Sequence, residues 1–153
     1  MAYANRPLIA ALERTAARLR ANVEYSWGHL GMCNCGQLAQ AVTGRSRAEI
    51  HRAALEFGGE WQDRARDYCP TSGRAIDDII AELMELGLGA GDLADLEYLR
   101  DPAVLRRLPS GRRWLERNQR EDVIEYLDAW AALLRDDLER RDALSRTTLV
   151  AAE

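Results

Sequence analysis

Apolar residues recur at intervals of three and four along most of the chain, and no segment alternates apolar and polar residues as a half-buried strand does. The run from Ile76 to Leu83 is the clearest example, because it places its isoleucines and leucine on one face of a helix. Glycines, prolines and good capping residues separate such runs. The sequence therefore predicts an all-α fold, a compact single-domain bundle of about seven or eight mostly short helices with a long C-terminal helix.

Capping residues predict where several helices begin. Two starts have the spacing of a capping box, Ser46 with Glu49 and Asn34 with Gln37. The second box places Cys35 in the first turn of its helix, and Asp92 is predicted to cap a shorter helix. The long last helix is predicted to begin near Asn118. Residues 145–153 show no cap and little apolar pattern, so we expect a frayed tail after a domain that spans residues 1–144.

Composition is typical of a soluble globular protein. Of the 153 residues, 47% are hydrophobic and 30% are charged. This composition differs from those of disordered proteins and of membrane proteins. No apolar run is long enough to span a bilayer, and the first residues lack the basic and apolar regions of a secretion signal. Three cysteines, two of them separated by one residue, are a poor framework for extracellular disulfides. We therefore predict a cytoplasmic protein without a membrane partner.

The chain contains no lysine, because all 21 of its lysine-or-arginine positions are arginine. This excludes a Schiff base with pyridoxal phosphate and a phosphate-loop nucleotide site, since both require a lysine. Only two histidines are present, His29 and His51, so metal sites built from several histidines are excluded as well. The three cysteines are therefore the residues to consider first.

Residues 25–37 hold the candidate site, since this stretch combines Cys33, Cys35 and His29 with three glycines. At a junction between loop and helix the two thiols can converge, whereas a disulfide between them would be strained by its small ring. Cys69 stands at a turn before a proline and supplies a third thiolate. The chain therefore offers three thiolates and the imidazole of His29 as ligands. That set suits tetrahedral zinc, with an iron–sulfur cluster as second choice. We predict a structural or regulatory metal site with the ligands His29, Cys33, Cys35 and Cys69.

Two other interpretations of the same residues stay open. In the first, Cys35 lies at the positive end of a helix dipole, which favours a reactive thiolate, and His51 or His29 acts as its base in a thiol-dependent enzyme. The same thiol could instead form a reversible disulfide with Cys69 in a redox protein. In the second interpretation the cysteines only fill helix junctions, and the chain is a helical interaction or adaptor protein.

Aromatic residues flank the cysteines in the sequence. The four nearest are Tyr25, Trp27, Trp61 and Tyr68. They could wall a pocket for a small ligand, although aromatic residues at helical spacing are more typical of a core. Which of these two roles each residue takes depends on the fold.

Charge is unevenly distributed near the C-terminal end. Residues 100–120 contain seven arginines and two acids, whereas residues 121–142 contain eight acids and three arginines. Such an arginine cluster could bind phosphate or nucleic acid. A net charge of -4, a pI of about 5.3 and the lack of a nucleic-acid motif disfavour that reading, so we expect a solvated or partner-facing charged surface, on which the two blocks can neutralise each other. A protein partner or a homo-oligomer formed through helix faces stays open.

Overall fold

The computed structural model describes the backbone of residues 1–151 and the side chains of residues 1–148. It confirms the all-α prediction, because the described residues form eight helices and no strand, and the last helix is by far the longest. The helices are α1 (Arg6–Arg20), α2 (Asn34–Thr43), α3 (Arg47–Phe57), α4 (Trp61–Arg66), α5 (Ala75–Glu85), α6 (Ala90–Tyr98), α7 (Pro102–Leu105) and α8 (Arg120–Ala151).

The second helix lies at the centre of the fold. α2 packs against α1, α3, α5 and α6, and its residues from Asn34 to Ala39 are all buried. Because this half of the helix has no face in water, the polar groups of Asn34 and Gln37 need partners inside the protein. The most extensive helix contact in the fold joins α1 to α8.

The capping box predicted at the start of α3 is present in full, whereas three other predicted starts differ slightly. Cys33 holds the N-cap position of α2, and Asn34 is the first helical residue. Asp92 lies inside the first turn of α6, where its carboxylate accepts a hydrogen bond from the backbone N–H of Gly89. α8 begins at Arg120, a little later than the predicted cap. The order of the helices is unaffected.

The last helix continues beyond the rest of the fold. α8 is helical as far as Ala151, and every described side chain from Ala143 to Thr148 is exposed. Residues 145–151 are helical in this structure, residues 152–153 lie outside the described part, and the fraying expected for residues 145–153 stays a prediction. The domain boundary at residue 144 stays a prediction. Within the described part, no helix is long and apolar enough to cross a membrane.

Two arginines of the arginine-rich block form ion pairs with the acidic block. Arg107 forms an ion pair with Asp136, and Arg112 forms ion pairs with both Asp122 and Glu125. Hydrogen bonds from Arg112 to these last two carboxylates raise its pKa above the ordinary arginine value. The pairs fasten the segment between α7 and α8 onto α8.

Candidate functional site

Residues 24–33, which we call the site loop, join α1 to α2 and rest directly on neighbouring backbone. A Cβ atom added at Gly31 would lie 2.0 Å from the carbonyl oxygen of Arg47, at the start of α3. A Cβ atom added at Gly36 would lie 2.4 Å from the carbonyl oxygen of Leu30. Both distances are far shorter than a real carbon–oxygen contact, so only glycine fits at these two positions.

Side-chain amides from α2 hold the site loop in place. Gln37 donates from Nε2 to the carbonyl oxygens of Glu24 at 2.8 Å and Met32 at 3.2 Å. Gln40 donates from Nε2 to the carbonyl oxygen of Gly31 at 2.6 Å. Gln37 was predicted to complete a capping box, but its amide instead ties the beginning of the site loop to its end. The loop is therefore fixed by hydrogen bonds from the buried helix.

Asn34 joins the start of α2 to two distant segments. Its Nδ2 atom lies 3.3 Å from the carbonyl oxygen of Leu96, 3.1 Å from that of Glu97 and 3.2 Å from that of Arg117. The Tyr25 hydroxyl lies 2.8 Å from both Asn34 Oδ1 and the Arg117 carbonyl oxygen. Burial raises the pKa of Tyr25, so this hydroxyl keeps its proton as a donor. These contacts hold α6 and the segment before α8 against the site loop.

The two histidines stack on each other, with ring centroids 3.9 Å apart and ring planes 19° apart. His29 accepts at Nδ1 from the backbone N–H of Gly31 at 3.1 Å, and His51 accepts at Nδ1 from the backbone N–H of Leu30 at 3.1 Å. An Nδ1 atom that accepts a hydrogen bond carries no proton, so both rings are neutral and carry their hydrogen on Nε2. Burial and the neighbouring His51 also lower the pKa of His29.

This hydrogen bonding bears on both roles predicted for the histidines. A histidine that binds a metal through one nitrogen normally donates the N–H of the other. His29 instead accepts at Nδ1 and keeps its proton on Nε2, so neither nitrogen is free to bind a metal. His51 likewise has no free lone pair, and in this arrangement it cannot take a proton from a thiol.

The three cysteines are free thiols in three different environments. Cys35 is fully buried, donates to the carbonyl oxygen of Leu93 at 3.3 Å and has a pKa raised well above its ordinary value by burial. Cys33 is buried at the N-cap of α2, and burial raises its pKa to about 11. Cys69 is exposed in the turn between α4 and α5, and hydrogen bonds from Thr71 lower its pKa.

The structure does not bring the four predicted metal ligands together. In the part of the chain that is described, no group of three or more His, Cys, Asp or Glu side chains is placed to hold a metal ion. Cys35 lies in the core and Cys69 at the surface, and both are free thiols in this structure. Zinc or an iron–sulfur cluster on His29, Cys33, Cys35 and Cys69 stays a prediction that these contacts do not favour. The same holds for Cys35 and His51 as a catalytic pair.

A pocket of about 260 Å³ lies beside the site loop. It is lined by Trp27, Gly28, Leu30, Cys33, His51, Leu55, Glu60 and Glu97. Two residues of the predicted site, Cys33 and His51, therefore meet at this pocket, and Trp27 is one of its walls. Trp61 is instead a fully buried core residue whose indole N–H donates to the carbonyl oxygen of Leu30 at 3.0 Å. We call this cavity the Cys33 pocket.

Two carboxylates line the Cys33 pocket. Glu97 is only 3% exposed, and its two oxygens accept from the backbone N–H groups of Trp61 at 3.1 Å and Gln62 at 3.0 Å. Burial raises the pKa of Glu97 above the ordinary carboxyl value, because these hydrogen bonds offset only part of the desolvation. Glu60 is exposed and accepts a hydrogen bond from the Tyr98 hydroxyl. The pocket wall is therefore acidic as well as apolar.

An arginine and two aromatic rings form a cluster next to the pocket. The guanidinium of Arg117 lies 5.0 Å from the ring centroid of Trp27 and 4.7 Å from that of Tyr98. The two rings meet edge to face with centroids 6.0 Å apart. A guanidinium held over aromatic faces is a favourable cation–π contact, so this corner of the molecule already accommodates an organic cation.

A second arginine is buried nearby. Arg64 donates from Nε and Nη2 to the carbonyl oxygen of Ala54 at 2.9 Å and 2.6 Å, and its Nη1 atom has no hydrogen-bond partner among the described residues. Its charge attracts the carboxylate of Glu97, although burial lowers the pKa of Arg64 itself. Arg64 is not part of the pocket wall. The described wall therefore carries two carboxylates and no arginine.

Comparison with protein-family models, with curated proteins and with solved structures found no match. The function therefore has to be inferred from the pocket itself, since an all-α fold alone assigns no activity. Sequence spacing had drawn attention to Cys33, His51 and Trp27 but not to Glu60 or Glu97. No motif links those two carboxylates to the cysteines, and only the packing of α4 and α6 brings them to the site.

Proposed function

We propose that this protein binds a small organic cation, an ammonium or guanidinium group on a short apolar stem, in the Cys33 pocket. The observation that carries the proposal is Glu97, a carboxylate that is almost completely buried and yet lines a cavity. Burying a carboxylate is unfavourable unless a positive charge or several hydrogen bonds compensate. A bound cation would add to the partial compensation that the two backbone N–H groups and the charge of Arg64 provide.

The other lining residues support the same class of ligand. Trp27, Leu30 and Leu55 offer apolar surface for a stem. Glu60 adds a second negative charge at the same wall. The volume of about 260 Å³ is below that of a typical drug-sized site, so the ligand must be small. Neutral His51 adds no repulsion, because its Nδ1 atom accepts a hydrogen bond.

Isothermal titration calorimetry with n-butylammonium chloride tests the proposal, with n-butanol as the neutral probe of similar shape. We expect heat of binding with the ammonium and none with the alcohol. The variants Glu97→Gln and Glu60→Gln should each weaken ammonium binding by about tenfold or more, which corresponds to about 1.4 kcal/mol. The matched control is Glu85→Gln, an exposed glutamate at the end of α5, which should leave binding unchanged.

The two variants separate loss of binding from loss of folding. Glu97→Gln removes a buried acceptor and can lower stability, so circular dichroism must show that it is folded, whereas Glu60 is exposed and its variant should fold normally. Equal binding of the ammonium and the alcohol, or full binding by folded Glu97→Gln and Glu60→Gln, would contradict the proposal. Absence of ammonium binding to the unmodified protein would also contradict it.

No contact in the site favours the metal or thiol-enzyme interpretation over cation binding. Both stay predictions that simple measurements decide. Elemental analysis of protein purified without a histidine tag measures zinc and iron directly, and stoichiometric metal would favour the metal site. Rapid alkylation of Cys35 in the folded protein would favour the enzyme.

A further inference from the structure

Two aromatic rings form a corner beside the Cys33 pocket. Trp27 and Tyr98 lie with their ring centroids 6.0 Å apart and their ring planes at 69° to each other, and we call this pair the aromatic corner. Both rings are connected to the pocket, because Trp27 lines it and the Tyr98 hydroxyl donates to Glu60, which lines it too. A ligand in the pocket would therefore lie next to the aromatic corner.

The aromatic corner is already occupied by a cation of the chain itself. The guanidinium carbon of Arg117 lies 5.0 Å from the ring centroid of Trp27 and 4.7 Å from that of Tyr98. A cation within about 6 Å of a ring centroid is attracted by the negative face of the ring. One guanidinium group therefore makes a cation–π contact with both rings at once.

In the described part of the chain, only these two rings hold the side chain of Arg117. Its guanidinium forms no ion pair there, whereas Arg100, which lies 5.1 Å from the same Tyr98 ring centroid, is ion-paired with Asp95. The main chain of Arg117 is fixed, since its carbonyl oxygen accepts a hydrogen bond from the Tyr25 hydroxyl at 2.8 Å. The side chain is exposed, so its place in the aromatic corner depends on its attraction to the rings.

Carboxylates and aromatic faces select different cations. A primary ammonium or a guanidinium has N–H groups that donate to carboxylates, and Glu60 and Glu97 supply carboxylates in the Cys33 pocket. A quaternary ammonium has no N–H group and is bound through aromatic faces instead. The aromatic corner next to this pocket already carries a guanidinium, which would also repel a second cation. The pocket therefore favours a cation with N–H donors.

We propose that Arg117 determines the ligand specificity of the Cys33 pocket. By occupying the aromatic corner it makes the pocket bind cations with N–H donors and discriminate against quaternary ammonium ions. This inference rests on the proposed function, because it concerns which cation the pocket prefers. Removal of the Arg117 side chain should free both rings of the aromatic corner and extend binding to quaternary ammonium ions.

Calorimetric titration with n-butylammonium and with n-butyltrimethylammonium, which have the same stem, tests this specificity. The unmodified protein should bind the primary ammonium more tightly by about tenfold or more. Arg117→Ala should tighten binding of the quaternary ion by about tenfold or more and change binding of the primary ammonium by less than about threefold. Arg100→Ala is the matched control, because it removes the same charge beside Tyr98 but leaves Arg117 in the aromatic corner, and it should leave the preference unchanged.

Two variants of Tyr98, each combined with Arg117→Ala, locate the gained affinity. Tyr98→Leu should abolish the gain because the ring is lost, whereas Tyr98→Phe keeps the ring and should preserve it. Circular dichroism must show each variant folded, which is expected for Arg117→Ala since Arg117 is exposed. An unchanged affinity of Arg117→Ala for the quaternary ion overturns the role of Arg117, as does a gain that survives Tyr98→Leu or that Arg100→Ala reproduces.

The same titrations separate this inference from the proposed function. Binding of n-butylammonium that requires Glu97, together with an unchanged preference in Arg117→Ala, overturns the role of Arg117 alone. No binding of n-butylammonium to the unmodified protein, together with ring-dependent binding of the quaternary ion to Arg117→Ala, contradicts the proposed function and supports the occupation of the aromatic corner by Arg117. Absence of binding in every protein overturns both.

Discussion

Burial, and not position in the helix, decides the chemistry of the cysteines. Cys35 stands in the first turn of α2, where the helix dipole favours a thiolate, yet complete burial raises its pKa. Backbone N–H groups of Gly36 and Cys35 face Cys33, but they too are outweighed by desolvation. Cys69 lies in a turn and not at the start of a helix, yet its pKa is lowered because it is exposed and accepts hydrogen bonds from Thr71.

Cys69 should therefore be the first thiol to react in the folded protein. Iodoacetamide at mildly alkaline pH is expected to modify one thiol per chain quickly, and peptide mass spectrometry should locate it at Cys69. Cys33 and Cys35 should react at a comparable rate only after denaturation, because both are buried and protonated. Cys69→Ser serves as the control and should remove the fast phase. Modification of Cys35 as fast as Cys69 would contradict this ranking.

Residue spacing located part of the site. Residues 25–33 do form a loop held by side chains of α2, residues 34–37 form the first turn of that helix, and Cys33, His51 and Trp27 do meet at one pocket. Spacing could not show the direction of each thiol, since burial of Cys35 depends on Leu93 in a helix far along the chain. Nor could it identify Glu97, whose role depends on where α6 packs. Short-range patterns report local structure, whereas the wall of a pocket is assembled from distant segments.

Two glycines allow the site loop to lie directly against the backbone of its neighbours. Gly31 lies against the backbone of Arg47, and Gly36 lies against the backbone of Leu30 and Gly31. These contacts involve main-chain atoms, which cannot rotate away as a flexible side chain can. The sequence predicted that Gly31 would help to break the helix, and it placed Gly36 inside the next helix, but close backbone approach is a tertiary property that spacing does not show.

Substitution by alanine measures these two contacts. Gly31→Ala and Gly36→Ala should each lower the free energy of unfolding by about 3 kcal/mol, because the added methyl group must push backbone apart. Gly28→Ala is the matched control within the same loop, since a Cβ atom there has no neighbour within 4 Å. It should change stability by less than about 1 kcal/mol. Urea unfolding followed by circular dichroism measures all three, and equal stability of Gly31→Ala and Gly28→Ala would contradict the packing described.

The helix starts also show that a local sequence pattern predicts a cap only where no distant contact intervenes. The capping box of α3 was predicted correctly because Ser46 and Glu49 bond only to each other's backbone at an exposed helix end. Asn34 has the right chemistry for a cap, but its side chain bonds to Tyr25 and to three carbonyl groups outside the helix, so Cys33 takes the N-cap position. A capping rule holds where tertiary contacts do not compete for the side chain.

Glu97 connects the stability of the fold to the Cys33 pocket. Its carboxylate belongs to α6, accepts hydrogen bonds from two backbone N–H groups at the start of α4 and lines the Cys33 pocket. Protonation of Glu97 should therefore change both the contact between α4 and α6 and the charge of the pocket. The folded state holds the proton of Glu97 more tightly than the unfolded chain does, because burial raises its pKa in the fold. Proton binding and folding are therefore linked at this residue.

The sign of that linkage can be measured by comparing the unmodified protein with Glu97→Gln across pH. Below the ordinary carboxyl pKa both states are protonated, and the difference in unfolding free energy between the two proteins should be constant. As pH rises through the raised pKa of folded Glu97, the unmodified protein should lose stability relative to the variant, and above that pKa the difference should level off. Other titrating groups are common to both proteins and cancel. Urea unfolding at several pH values gives the difference, and a difference that is constant or changes in the opposite direction would contradict a buried carboxylate with a raised pKa.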